Sequence, residues 1–229
     1  MPAKAALPTG TLIIVGIAGI AFVVLLGVAI HSMGNGPLAI DSWWHDLMLA
    51  WRTDVGLIVA QAMQFIGGPI PMILIGVAIV ISFILDHRRM AAFTVAVAML
   101  GTEALTSVLK IAFTRPRPED SLSTHAMTSF PSGHSSLAAA TAVMLALLLR
   151  MWIAWLLAVI WVVVMAWSRT YLEAHWLTDV FGGAVLGASV AVLAWAIIAR
   201  AHVSVVRANP AAPGVSPILD PNANYDKSR

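Results

Sequence analysis

Three polar clusters interrupt a chain that is otherwise strongly apolar. They read KIAFTRPRP at 110–118, PSGH at 131–134 and SRTYLEAHWLTD at 168–179. Each cluster alone has an ordinary explanation, such as a lysine that reaches out from a helix end or a serine that starts a helix. Charged groups at membrane depth are costly, however, and tend to mark functional sites. The three clusters together therefore predict one polar site at the edge of a membrane-embedded protein.

The residue types in these clusters favour a phosphate as the ligand. Lys110, Arg117 and Arg169 supply three cations. Ser132 and the backbone N–H of Gly133 supply neutral donors at a predicted helix N-terminus, where the helix dipole also favours an anion. Such a set of donors predicts a phosphate-binding site.

Two histidines and an aspartate could carry out chemistry on that phosphate. His134 lies in the first turn of a predicted helix, and His175 precedes Asp179 by four residues. If residues 175–179 are helical, this spacing places the carboxylate beside the imidazole ring. A carboxylate in that position fixes the imidazole tautomer and stabilises the imidazolium that forms during reaction.

The composition predicts an integral membrane protein. Of the 229 residues, 60% are hydrophobic and only 10% are charged, which lies outside the range of soluble domains. The basic residues that give a net charge of +2 are scattered singly, so we expect no nucleic-acid partner. The absence of cysteine excludes disulfides, thiolate metal ligands and cysteine nucleophiles. No pattern in the sequence indicates an oligomeric state.

Six apolar runs are close to or longer than the roughly 20 residues that a membrane-spanning helix needs. They are 11–32, 56–85, 90–112, 134–149, 151–167 and 178–200. The segment QFIGGPIPM breaks the second run, so 69–85 is the predicted span and 55–66 a separate segment before it. The sequence thus predicts an all-α polytopic membrane protein, a bundle of about six transmembrane helices.

The distribution of lysine and arginine predicts the orientation. With a cytoplasmic N-terminus, eight of these cations lie inside and five outside, so we expect both termini in the cytoplasm and all three polar clusters on the outer face. The first apolar run is too long for a signal peptide and lacks a clear cleavage site, which favours a membrane anchor. We expect residues 1–208 to form a transmembrane catalytic domain and the Pro-rich residues 209–229 a disordered cytoplasmic tail.

In order and spacing, the three clusters resemble the three-part signature of the type 2 phosphatidic acid phosphatase superfamily. The matching parts are Lys110-x6-Arg117-Pro118, Pro131-Ser132-Gly133-His134 and Ser168-Arg169-x5-His175-x3-Asp179. The resemblance covers 110–179, about a third of the chain. This superfamily also includes bacterial acid phosphatases and vanadium haloperoxidases, although the haloperoxidases are typically soluble.

The resemblance implies a metal-independent phosphatase without a cofactor. His175 would attack phosphorus to form a phosphohistidine, Asp179 would orient His175, and His134 would protonate the leaving oxygen. The residues implied to hold the phosphoryl oxygens are Lys110, Arg117, Ser132, Gly133 and Arg169.

The resemblance also suggests a lipid substrate in a bacterial plasma membrane. Undecaprenyl pyrophosphate, the lipid carrier of cell-wall synthesis, is the first candidate, and phosphatidylglycerophosphate and phosphatidate come next. A phosphotransferase would use the same site to pass the phosphoryl group to another lipid. A transporter or scaffold without catalysis is a further alternative.

Other residues near the motifs carry smaller expectations. We expect Arg115 to contact lipid headgroups. Glu103 lies seven residues before Lys110 on the same helix face, where it would form a buried hydrogen bond to a neighbouring helix, tune Lys110 or line a lipid cavity. His125 lies in the same outward loop without matching any motif. The pattern Gly183-x-x-x-Gly187 predicts close packing of the helices that carry His134 and Asp179.

Overall fold

Eight helices make up the part of the chain that the computed structural model describes, residues 8–123 and 128–208. They are α1 Thr9–Ser32, α2 Ala39–Ala50, α3 Asp54–Ile66, α4 Pro69–Leu85, α5 Arg89–Phe113, α6 Gly133–Leu149, α7 Trp152–Tyr171 and α8 Leu177–Ala208. Within those ranges there is no β-strand, only an isolated bridge between Pro116 and Thr128. The prediction of an all-α fold is confirmed.

The predicted apolar runs become helices that begin within two residues of the expected positions. Helices α1, α5, α7 and α8 are long and apolar enough to cross a membrane, and α3 with α4 would form a fifth span that is bent by 56°. Helix α6 is apolar but has only 17 residues. The structure is thus that of a multi-span membrane protein, while the count of six spans and the orientation of the termini stay predictions.

The break between α3 and α4 follows from its sequence. Gly67 and Gly68 separate the two helices, and Pro69 occupies the first turn of α4, where its missing N–H leaves no hydrogen bond unmade. The predicted division into 55–66 and 69–85 is confirmed.

Two features differ from the prediction. The segment between α1 and α3, which lies outside every predicted apolar run, contains α2, a helix of 12 residues. Asp41 there accepts a hydrogen bond from the backbone N of Leu38 at 3.0 Å, and Met48 packs inward against α7. Helix α7 continues four residues beyond the predicted end at 167 and carries Arg169 in its last turn.

Helices α6 and α8 pack closely enough that their backbones nearly touch. A Cβ atom on Gly187 would overlap the carbonyl oxygen of Ser136, and one on Gly183 would lie 2.5 Å from that of Ser132. The prediction of close packing through these glycines is confirmed, and it places the start of α6 beside the start of α8. Residues 209–229 and His125 lie outside the described residues.

Gly187 provides a test of this packing. We expect Gly187→Ala to lower the free energy of unfolding by about 1–3 kcal/mol, because the added methyl group meets backbone that cannot move aside. The measurement is thermal unfolding of the detergent-solubilised protein. Gly101→Ala on α5 is the matched control, since its methyl group would lie 3.6 Å from Val190 in ordinary contact. Equal melting temperatures for the two variants would contradict the prediction.

Candidate functional site

The first motif places two cations against one backbone carbonyl. Lys110 lies in the last turn of α5, and its Nζ donates to the carbonyl oxygen of Thr128 at 3.0 Å. Arg117 lies in the following loop and donates from Nη2 to the same oxygen at 3.5 Å and from Nη1 to the carbonyl of Ala174 at 2.6 Å. Ala174 directly precedes His175, so Arg117 joins the first motif to the third.

The second motif forms the N-terminus of α6. Ser132 is the N-cap residue, and its Oγ accepts hydrogen bonds from the backbone N and the hydroxyl of Ser135 at 3.5 and 3.2 Å. The backbone N of Ser132 donates to the carbonyl oxygen of Asp179 at 3.0 Å. The half-buried His134 follows Gly133 in the first turn, as predicted.

Gln64 contacts two of the predicted site residues. Its side-chain oxygen accepts a hydrogen bond from Nη1 of Arg169 at 2.7 Å, and its backbone carbonyl lies 3.1 Å from Nε2 of His134. Arg169 is almost fully buried, and its Nη2 also donates to Ser123 at 3.4 Å. Sequence reasoning missed Gln64, because its only signal is its place beside the helix break at Gly67.

His175 and Asp179 lie side by side, although not for the reason expected. Helix α8 begins at Leu177, so the premise that 175–179 are helical is wrong. Nδ1 of His175 is nevertheless 3.7 Å from Oδ2 of Asp179, which is within ion-pair range but longer than a hydrogen bond. Asp179 accepts a hydrogen bond on Oδ2 from the backbone N of Trp176 at 2.8 Å, as an acid in the third helical position often does.

Burial lowers the pKa of His175 well below its usual value near 6.5. The neighbouring cations Arg117, Arg169 and Lys110 lower it further, in that order. The ring is therefore neutral at neutral pH, and its unprotonated nitrogen keeps the lone pair that a nucleophile needs. Because the unfolded chain takes up this proton and the folded chain does not, His175 lowers the free energy of unfolding as pH falls below about 6.5.

Arg115 does not contact headgroups, so that expectation is wrong. Its side chain is fully buried and forms salt bridges to Asp41 and Asp179, each at 2.7 Å. Asp41, on the unpredicted helix α2, had no predicted role. The buried hydrogen bond expected of Glu103 is also wrong, since this residue is exposed on α5.

A second polar cluster lies beside the segment that carries His175. The buried Glu173 carboxylate contacts Nδ1 of His45 and accepts a hydrogen bond from Arg52 at 3.1 Å, while Nε2 of His45 lies 3.4 Å from Asp120. Burial, with a further contribution from Asp120, raises the pKa of Glu173 to about 7. Ligand atoms of His45, Asp120 and Glu173 lie within 4.8 Å of one another, a spacing that a metal ion could use. Glu173 already has a cationic partner in Arg52, with which it forms a salt bridge.

The fold and the site define a multi-span membrane protein whose cations and histidines meet at one end of the helix bundle. The sequence profile of the PAP2 superfamily matches residues 91–202, which include all three motifs. That stretch, close to half of the chain, is therefore a PAP2 superfamily region.

Similar proteins include one curated relative and two solved structures. An undecaprenyl-diphosphatase from Sulfolobus acidocaldarius is 36% identical over 78 residues, which cover 34% of this chain and about a third of the relative. The crystal structure of a transmembrane PAP2-type phosphatidylglycerolphosphate phosphatase from Bacillus subtilis has a TM-score of 0.69 and 24% identity, over 78% of this chain and 93% of that one. The crystal structure of LpxE from Aquifex aeolicus has a TM-score of 0.61 and 20% identity, over 69% and 95%.

The lowered pKa of His175 can be measured without an activity assay. We expect ¹⁵N NMR of histidine-labelled protein to show a neutral His175 ring at pH 5.5 to 6, where a histidine in water is mostly protonated. Comparison with His175→Gln assigns the signals. A titration midpoint for this ring near 6.5 would contradict the prediction.

Proposed function

We propose that this protein is a lipid phosphatase that cleaves the phosphate or pyrophosphate of a membrane lipid through a phosphohistidine on His175. The observation that carries the proposal is the convergence of three cations and two histidines at one end of an apolar bundle. The match of residues 91–202 to the PAP2 superfamily supports the same activity. A lipid substrate suits this place, because its phosphate lies at the bilayer surface while its tail stays in hydrocarbon.

The current partners of the cations are groups that a phosphate could replace. Lys110 and Arg117 donate to backbone carbonyls, and Arg169 donates to an amide and a hydroxyl oxygen. Phosphoryl oxygens are stronger acceptors for these charged donors. The hydroxyl of Ser132 and the N–H of Gly133 would add neutral donors at the α6 N-terminus.

The proposed reaction has two steps. A ring nitrogen of neutral His175 forms a bond to phosphorus as the bond from phosphorus to the lipid oxygen breaks, and His134 gives that oxygen its proton. Water then attacks the phosphohistidine, His134 takes a proton from the water, and the bond from nitrogen to phosphorus breaks to release inorganic phosphate. Asp179 stabilises the positive charge that the His175 ring carries between the two steps.

Positioning and charge neutralisation provide most of the catalysis in phosphoryl transfer. Lys110, Arg117 and Arg169 would neutralise the phosphoryl oxygens, a role that divalent metal ions have in other enzymes. We therefore propose that hydrolysis needs no metal ion.

Undecaprenyl pyrophosphate is the first substrate that we propose, which would give the protein a role in recycling the lipid carrier of cell-wall synthesis. It agrees with the name of the curated relative, and phosphatidylglycerophosphate agrees with the name of one structural neighbour. Phosphatidate is the third candidate. The excess of lysine and arginine on the N-terminal side supports a site on the outer face of a bacterial plasma membrane.

The decisive experiment is phosphate release by purified protein in detergent with EDTA present. We expect release from at least one of the three lipids, and a loss of about 10³-fold or more in His175→Ala, because the variant lacks the nucleophile. His31→Ala on α1 is the matched control and should keep full activity. Release that requires an added metal ion would contradict metal independence. Release only when an acceptor lipid is added would favour a phosphotransferase.

Vanadate tests the same site in a different way. We expect competitive inhibition by vanadate below millimolar concentration, because five-coordinate vanadate resembles the transition state at phosphorus and binds such sites tightly. Initial rates at several lipid concentrations give the inhibition constant. Full activity at millimolar vanadate would count against a phosphohistidine mechanism.

A further inference from the structure

The side chain of Arg115 connects two helices through two carboxylates. Nη1 donates to Oδ1 of Asp179 at 2.7 Å and to the hydroxyl of Thr178 at 2.8 Å. Nη2 donates to Oδ2 of Asp41 at 2.7 Å and to the carbonyl of Gly36 at 3.0 Å. All three charged side chains are completely buried. One guanidinium group therefore joins α2 to the first turn of α8.

Asp41 reinforces this connection from the other side. Its Oδ1 accepts a hydrogen bond from the backbone N of Thr178 at 2.8 Å, and its Oδ2 accepts one from the Thr178 hydroxyl at 2.9 Å. Oδ2 also accepts from the backbone N of Leu38 at 3.0 Å. A single carboxylate thus satisfies free N–H groups at the start of two helices.

These contacts fix the rotation of the Asp179 carboxylate. Oδ1 is held by Arg115, so Oδ2 points to the backbone N of Trp176 and to Nδ1 of His175. Rotation of the carboxylate would break the contact with Arg115 and the hydrogen bond from Trp176 together.

The charges of the cluster matter for the reaction as well. Asp41, Arg115 and Asp179 carry a combined charge of −1, which compensates the positive charge on His175 when nitrogen is bonded to phosphorus. Without Asp41, Arg115 and Asp179 would cancel each other and this compensation would be lost.

We propose that Asp41 and Arg115 are positioning residues that act through Asp179 on His175. This inference rests on the proposed function. Asp41 acts through Arg115 and not merely as a helix cap, so its effect on turnover depends on the presence of Arg115.

A double-mutant cycle tests this dependence. Asp41→Asn keeps an oxygen that can accept from Thr178 but removes the charge, and we expect kcat to fall about 10- to 100-fold, as for other residues that orient a reacting group. The inhibition constant of inorganic phosphate should stay within about twofold, because the three phosphate-binding cations are unchanged. In the background of Arg115→Gln, adding Asp41→Asn should lower kcat little or not at all beyond the effect of Arg115→Gln alone.

Asp46→Asn is the matched control, because Asp46 lies on α2 and is exposed. It should leave kcat unchanged. The proposal is overturned if Asp41→Asn changes kcat less than twofold, or if it weakens phosphate inhibition and lowers the melting temperature in proportion to kcat. The proposal is also overturned if Asp41→Asn lowers kcat by the same factor with Arg115 present and with Arg115→Gln. If Arg115→Gln does not fold, the split between kcat and phosphate inhibition in Asp41→Asn decides alone.

The failure of the proposed function would be visible separately. If the wild-type protein releases no phosphate from any lipid, the cluster is tested by ¹⁵N titration of His175, around which Lys110, Arg117, Arg169, His134 and Asp179 are the other charged or titratable groups. Arg115→Gln should raise the titration midpoint of His175 relative to wild type, because it removes a buried positive charge next to Asp179. An unchanged midpoint would overturn the action through Asp179.

Discussion

The cost of burying charge beside lipid governs the arrangement of this site. Arg115 forms salt bridges to two carboxylates, which offset the cost of burying its charge. Separating Arg115 from these carboxylates would leave buried charges unpaired, at a cost of several kcal/mol. Lys110, Arg117 and Arg169 donate instead to carbonyl, amide and hydroxyl oxygens. Arg115 is thus paired with two carboxylates, whereas the acceptors described for the other three cations are neutral oxygens, which are weaker partners than the phosphoryl oxygens of the proposed substrate.

The close packing of α6 and α8 determines where these cations meet. Because Gly183 and Gly187 let the two backbones approach, the backbone N of Ser132 reaches the carbonyl of Asp179. The N-terminus of α6, which lies in the second motif, and the N-terminus of α8, which lies in the third motif, are thereby side by side. A larger residue at either glycine would move one histidine away from the other.

The sequence alone predicted the features that depend on short spacing. The apolar runs predicted where the helices begin, and the three motifs predicted site residues that the structure brings together. Asp41 was missed because its partner Arg115 is 74 residues away and no local pattern records that pairing. Helix α2 was missed because it is short and carries polar residues among apolar ones, and the position of His175 depends on a bend that follows α7 rather than on helical periodicity.

Helix α6 is short for a membrane, and this has a consequence for the lipid around the protein. Its 17 residues rise about 25 Å at 1.5 Å each, against a hydrocarbon thickness of about 30 Å. Its two ends cannot both reach the surfaces of an undisturbed bilayer. If α6 is the sixth span, either the bilayer thins locally around it, or its N-terminus with His134 sits below the headgroups, so that the phosphate of the proposed lipid substrate would have to sink several ångströms to meet it.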